Sequence, residues 1–121
     1  MVGSVIESQL TAETRDSETE LRRIVRRIVE SFDTREIVLF GSRAEGRAAT
    51  DSDADLLVVM KTDLPFYERG AAIRRAIRPC ALPLDLLVFT PEELEPLVSE
   101  PLSFVGRILR TGKVLHSGRA A

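Results

Sequence analysis

The sequence predicts one α+β domain, a small mixed β-sheet layered with helices. Two observations carry that expectation. Three short runs rich in β-branched and apolar residues occur at Glu36–Phe40, Ala54–Met60 and Leu84–Phe89. Segments with the apolar spacing of helices lie between and around them. The chain has 121 residues, of which 44% are hydrophobic, enough for one core in one domain.

The first sixteen residues are polar without a sustained period and read as a loose arm, 1–16, before a folded unit at 17–116. Ser17-Glu18-Thr19-Glu20 has the pattern of a capping box. Leu21, Ile24, Val25, Ile28, Val29 and Phe32 then share one helical stripe. Arg22, Arg23, Arg26 and Arg27 occupy the other side, as a solvated face or as a surface for an acidic partner or RNA. Residues 37–40 are apolar on both alternating faces, which fits a strand covered on both sides. Gly41-Ser42 ends that strand, and a short helix is expected from Ser42.

Ala54–Met60 is the second strand. A helix over 65–78 follows, with Phe66, Ile73 and Ile77 inward, and Pro79 stops it. Tyr67 reads as half-buried, with base stacking or modification as a minor alternative. Leu84–Phe89 is the third strand. Thr90 and Pro91 have the residue types of a helix cap and first helical position. Pro101 interrupts the C-terminal helical region, where Leu102, Val105, Ile108 and Leu109 form a stripe ending at Gly112. Val114 and Leu115 suit a short edge strand, and 117–121 a disordered tail.

Composition narrows the function classes. A net charge of -2 gives no overall field for nucleic acid. No apolar run approaches the ~20 residues that cross a bilayer, and the first residues lack the pattern of a signal peptide. A cytoplasmic protein is expected. The single cysteine, Cys80, excludes an internal disulfide and fits a small core or surface residue.

Chemistry concentrates in 41–59. Asp53 and Asp55 sit at the mouth of an apolar strand, and side chains two apart on a strand share a face. Like charges brought together call for a cation between them, and carboxylate oxygens suit Mg2+. Asp85, inside the apolar run 84–89, would complete a three-carboxylate cluster if its strand lies alongside. Such a cluster can hold two metals about 3.5–4 Å apart for displacement at phosphorus. Asp85 is then the candidate for general base or for the acceptor side. Gly41 allows close approach of a triphosphate. Ser42 can donate to a phosphate or simply cap a helix, and Arg43 and Arg47 can neutralise remaining charge.

Gly41-Ser42, ten intervening residues and Asp53-Ala54-Asp55, with an apolar strand before and an aspartate opening a later strand, resemble the signature of the minimal nucleotidyltransferases of the DNA polymerase β-like superfamily. The resemblance covers roughly residues 20–116. It implies a palm-like mixed sheet, Mg2+ (two ions), and ATP or another NTP as donor. It maps Gly41 and Ser42 to the triphosphate, and Asp53, Asp55 and Asp85 to the metal. Glu45 departs from the arginine many members carry, which lowers positive charge near the phosphates. Chains resembling this one are often paired with helical HEPN toxins. The resemblance thus implies an antitoxin that adenylylates a tyrosine of such a partner, in a type VII-like system.

Other readings weigh less. An EF-hand beginning at Asp51 needs Gly at its sixth position and Glu at its twelfth, where Leu56 and Thr62 stand. Arg110 and His116 have the spacing of the HEPN ribonuclease motif, but Gly112 breaks the helix that motif requires. Two rival functions stay open: a non-catalytic module that masks a toxin, and an NTP or RNA sensor. His116 reads as a surface residue. The sequence leaves the oligomeric state undetermined.

Overall fold

The computed structural model describes residues 2–41, 43–44, 53–100 and 102–118, with side chains from residue 17 onward. The expected short helix after Gly41 falls outside these residues, as do Ser42, Glu45, Arg47 and Pro101. The elements run α1 (Val2–Ser31), β1 (Asp33–Phe40), β2 (Ala54–Lys61), α2 (Phe66–Ala76), β3 (Leu84–Phe89), α3 (Pro91–Val98), α4 (Phe104–Thr111) and β4 (Lys113–Ser117).

The four strands form one mixed sheet in the order β3-β2-β1-β4. β1 pairs antiparallel with both β2 and β4, while β2 and β3 are parallel. Parallel strands need a crossover, and α2 supplies it in a β2–α2–β3 unit. The sheet is covered on both faces. Ile37, Leu39, Leu56, Val58, Met60 and Val88 meet Ile24 and Ile28 of α1 and Ile73 of α2. Val38, Leu57 and Val59 meet Leu94 of α3 and Val105 and Ile108 of α4. Each fully buried aliphatic side chain contributes roughly 1.5–3 kcal/mol. Double coverage explains why β1 and β2 read as continuous apolar runs.

α1 corrects the expected helix start. It is helical from Val2, and Ser17 and Glu20 lie inside it. No Gly or Pro stands between Ser4 and Ser31 to break the helix, so a capping pattern alone does not start one. Glu20 instead binds Arg23 (2.8 and 3.0 Å) and accepts from the Ala81 amide (2.9 Å). Arg23 also donates to the carbonyls of Ile77 and Pro79, and Arg27 to that of Ala76. The C-terminal carbonyls of α2 attract cations. Half of the supposed solvated arginine face therefore ties α1 to α2 and to the loop beyond it, which contains a cis Arg78–Pro79 bond.

α2 also departs from its expected inward face. Ile73 and Ile77 are buried. Phe66, which opens the helix, is largely exposed and meets the Phe89 ring, centroid to centroid at 5.6 Å. Tyr67 is exposed rather than half-buried. The inward place at the top of the helix belongs to Arg69, which is only 5% exposed. Its guanidinium donates to the Leu64 carbonyl (2.9 Å), the Val88 carbonyl (3.2 Å) and both oxygens of Glu93 (2.6 and 3.0 Å).

Thr90 caps α3 as expected, and Glu93 closes a capping box with it. Ser103, not Leu102, sets the start of α4, accepting from the Gly106 amide. Leu102 accordingly lies outside the helix and exposed, whereas Val105 and Ile108 are buried. Cys80 is exposed. β4 is the expected edge strand, paired with β1 across a register shift between Ile37 and Val38. It runs through Ser117, and the Gly118 amide donates to the Arg35 carbonyl, so the start of the expected disordered tail belongs to the sheet. Among the described residues no helix is long and apolar enough to cross a membrane.

Candidate active site

The acidic residues gather at one end of the sheet. In the parallel pairing of β2 and β3, Asp55 is the direct partner of Asp85. Strand alternation places Asp55 with Leu57 and Val59, and Asp85 with Leu87 and Phe89. All four apolar residues belong to the core under α3 and α4. Both carboxylates therefore face the α3/α4 side. They meet: Asp55 is raised above the ordinary carboxylate range by burial first, then by the charge of Asp85 and a hydrogen bond with it, then by the charge of Asp53. Burial and the nearby acidic groups therefore disfavour the ionised form of Asp55.

Two sequence expectations change here. Asp85 is exposed near the start of its strand on the α3/α4 face, whereas Leu84 beside it is buried in the core under α1 and α2. Asp53 precedes β2, where strand alternation no longer dictates direction, and it is exposed. It acts on Asp55 through its charge. Among the described residues, no group of three His, Cys, Asp or Glu side chains is close enough to hold a metal ion together. Asp55 and Asp85 form a facing pair, with Asp53 near enough to act on Asp55.

That pair still fits Mg2+. The donors are all oxygen and the charges repel, and burial followed by that repulsion raises Asp55. Mg2+ characteristically takes one or two carboxylates and fills its other positions with water and substrate phosphate.

Gly41 stands directly against the pair. It follows Phe40, whose register partner across β1 and β2 is Asp55. Gly41 has φ 77°, the left-handed region open to glycine. A Cβ there would collide with Oδ2 of Asp55 and lie 3.2 Å from its Cγ. Both backbone conformation and space demand glycine, and the chain turns away from β1 immediately beside the carboxylates. Arg43 and Ala44 follow in that turn, half-buried. Ser42 and Arg47, the other expected phosphate contacts, lie outside the described residues.

Residues 19–110 match the family model described as nucleotidyltransferase domain. The chain belongs to that family. The matched stretch contains Gly41, Asp53, Asp55 and Asp85, so the assignment and the acidic end of the sheet coincide. A solved structure from Sulfolobus solfataricus, titled as a candidate nucleotidyltransferase, is similar with 25% identity and a TM-score of 0.60, over 98% of this chain and 91% of that one. No curated protein matches the chain. The mixed sheet with flanking helices is thus a nucleotidyltransferase fold.

The helix of this nucleotidyltransferase that the sequence connected least with chemistry is α4. Phe104, Arg107 and Thr111 line a cavity beside Phe40 and Gly41. The aromatic at 104 stands out in the sequence only as an apolar residue off the 105/108 stripe, a weak signal.

Proposed function

We propose that this nucleotidyltransferase moves a nucleoside monophosphate, AMP first among the choices, from an NTP to an acceptor hydroxyl. The observation that carries the reading is the facing Asp55–Asp85 pair beside Gly41, where a positive φ and the Asp55 carboxylate put any side chain under strain. Asp55 and Asp85 are assigned to Mg2+, two ions in the full arrangement, with Asp53 adding charge nearby. When bound, the metal neutralises charge on the triphosphate and the departing pyrophosphate.

The chain's own residues have distinct tasks. The turn at Gly41 brings backbone within reach of the triphosphate, and Ser42, Arg43 and Arg47 are assigned to its oxygens. Asp85, exposed at the outer edge of the pair, accepts the proton of the acceptor hydroxyl. The new bond joins that oxygen to the α-phosphorus; the bond to the β-phosphate oxygen breaks and pyrophosphate leaves. Positioning and charge compensation supply the rate. For the acceptor we propose a tyrosine of a HEPN-family partner, which makes the chain the antitoxin of a type VII-like pair in the cytoplasm; this part is supported by the family resemblance.

The test is transfer of label from α-labelled ATP, with Mg2+, to the partner encoded beside this chain. Asp55→Ala and Asp85→Ala should each lower transfer by more than about a hundredfold, since merely misorienting a metal ligand already costs about 10–100-fold. Absence of transfer by the unaltered protein to that partner and to RNA refutes the enzymatic reading. Protection of cells by Asp53→Ala/Asp55→Ala would favour masking of the toxin instead.

A further inference from the structure

A cavity of about 430 Å3 opens between the end of β1 and the outer surface of α4. Its wall includes Phe40, Gly41, Phe104, Arg107, Ile108 and Thr111. It lies on the same face of the sheet as Asp55 and Asp85, because Phe40 and Ile108 belong to the core under α3 and α4. Gly41 is shared: it abuts the Asp55 carboxylate on one side and lines the cavity on the other.

The lining has a specific chemistry. Phe104 is 61% exposed, so its ring is open to a ligand. The Phe40 ring meets it edge-to-face, with centroids 6.0 Å apart and planes at 86°. Such a contact holds a ring by one region and fixes its orientation. Ile108 adds an apolar floor. Arg107 brings a cation, and the Thr111 hydroxyl is oriented by donating to the Arg107 carbonyl at 2.8 Å. An oriented aromatic ring, an apolar floor and a cation, next to a phosphate-sized approach at Gly41, suit a flat heterocycle attached to an anion. The volume lies within the range of small-molecule sites.

We infer that this cavity receives the base and sugar of the donor nucleotide, with Phe104 as the stacking platform. The inference rests on the nucleotidyl-transfer reading and adds to it the place and means of base recognition. Stacking on one ring accepts every base, so all four NTPs bind, the purines more tightly because they cover more of the ring. Arg107 faces the sugar–phosphate side. Specificity for one base is weak in the chain alone.

Calorimetric titration with ATP, GTP, CTP, UTP and inorganic tripolyphosphate, each with Mg2+, tests this. Phe104→Ala should weaken binding of ATP about tenfold, the effect typical of losing one stacked base, and leave tripolyphosphate unchanged. Phe104→Tyr should restore ATP, while Phe104→Leu, apolar but without a ring, should not. The exposure of Phe104 makes these variants compatible with folding, which their melting temperatures verify. Equal weakening of ATP and tripolyphosphate, or no weakening of either, overturns the base pocket while leaving the donor reading in place. Failure of the unaltered protein to bind ATP and tripolyphosphate alike overturns both.

Discussion

The sheet carries two ionic clusters of opposite design. Near the C-terminal end of β3, Arg69 is buried and Glu93 answers it with both oxygens, while two backbone carbonyls take its remaining donors. Arg69 and Phe66 also stack, the guanidinium carbon 5.6 Å from the ring centroid. At the opposite end, Asp55 and Asp85 face each other, and the neighbours that act on Asp55 are acidic. The same physics gives opposite titrations. Arg69, with the Thr90 amide, pulls Glu93 down to about 2, whereas burial and its acidic neighbours push Asp55 up. One cluster is satisfied and holds α2, β3 and α3 together. The other is incomplete, and incompleteness of this kind marks a place where a ligand supplies the missing charge.

Breaking the satisfied cluster should have the largest effect on stability. Arg69→Ala removes the partner of Glu93 and orphans two carbonyls. Loss of a buried pair costs roughly 3–5 kcal/mol. Glu93 is partly exposed and regains water, which places the loss near the lower end. Chemical denaturation at neutral pH measures it, and a change under about 1 kcal/mol would show that the clamp is ornamental.

Acid should separate the clusters next. Because folded Glu93 titrates near 2, below its ordinary value of 4.5, its contribution is complete above about pH 5 and fades as pH falls toward 2. Unfolding midpoints across that window should decline, and Glu93→Gln should lower the plateau and flatten the decline. Asp55 works in the reverse sense: its raised value means that ionisation opposes folding, so its share of stability is present in acid and lost as pH rises through the carboxylate range.

The smallest effect sharpens the contrast most. Asp55→Asn should raise the stability of the metal-free protein by about 0.2–1 kcal/mol, the size of a cross-strand pair term, while abolishing transfer. Added Mg2+ should raise the melting temperature of the unaltered protein and leave that of Asp55→Asn nearly unmoved. A destabilised Asp55→Asn would show that the carboxyl pair serves the fold.

Much of this was legible in the residues. Apolar runs revealed β1, β2 and β3, and the Thr90-Pro91 pair marked the start of α3. Gly41, Asp55 and Asp85 could be selected because their residue types are unfavourable in strands unless a ligand or a turn explains them. Other features were not legible. A capping pattern at Ser17 cannot act where no breaker ends the preceding helix. Arg69 occupies a place on the Phe66–Ile73–Ile77 stripe that polarity alone assigns to solvent, and only the spatial approach of Glu93, twenty-four residues on, makes its burial tolerable.

The sequence by itself determined the local grammar: which segments become strands or helices, and which glycine and acids are chemically unusual. These depend on periodicity and on neighbours within a few positions. Tertiary structure decided the pairings. It set Asp55 opposite Asp85 through the parallel register of β2 and β3, left Asp53 just before β2, and brought Phe104 of α4 against Phe40 at the end of β1. Such contacts join residues far apart along the chain, and their geometry exists only after the core beneath them has closed.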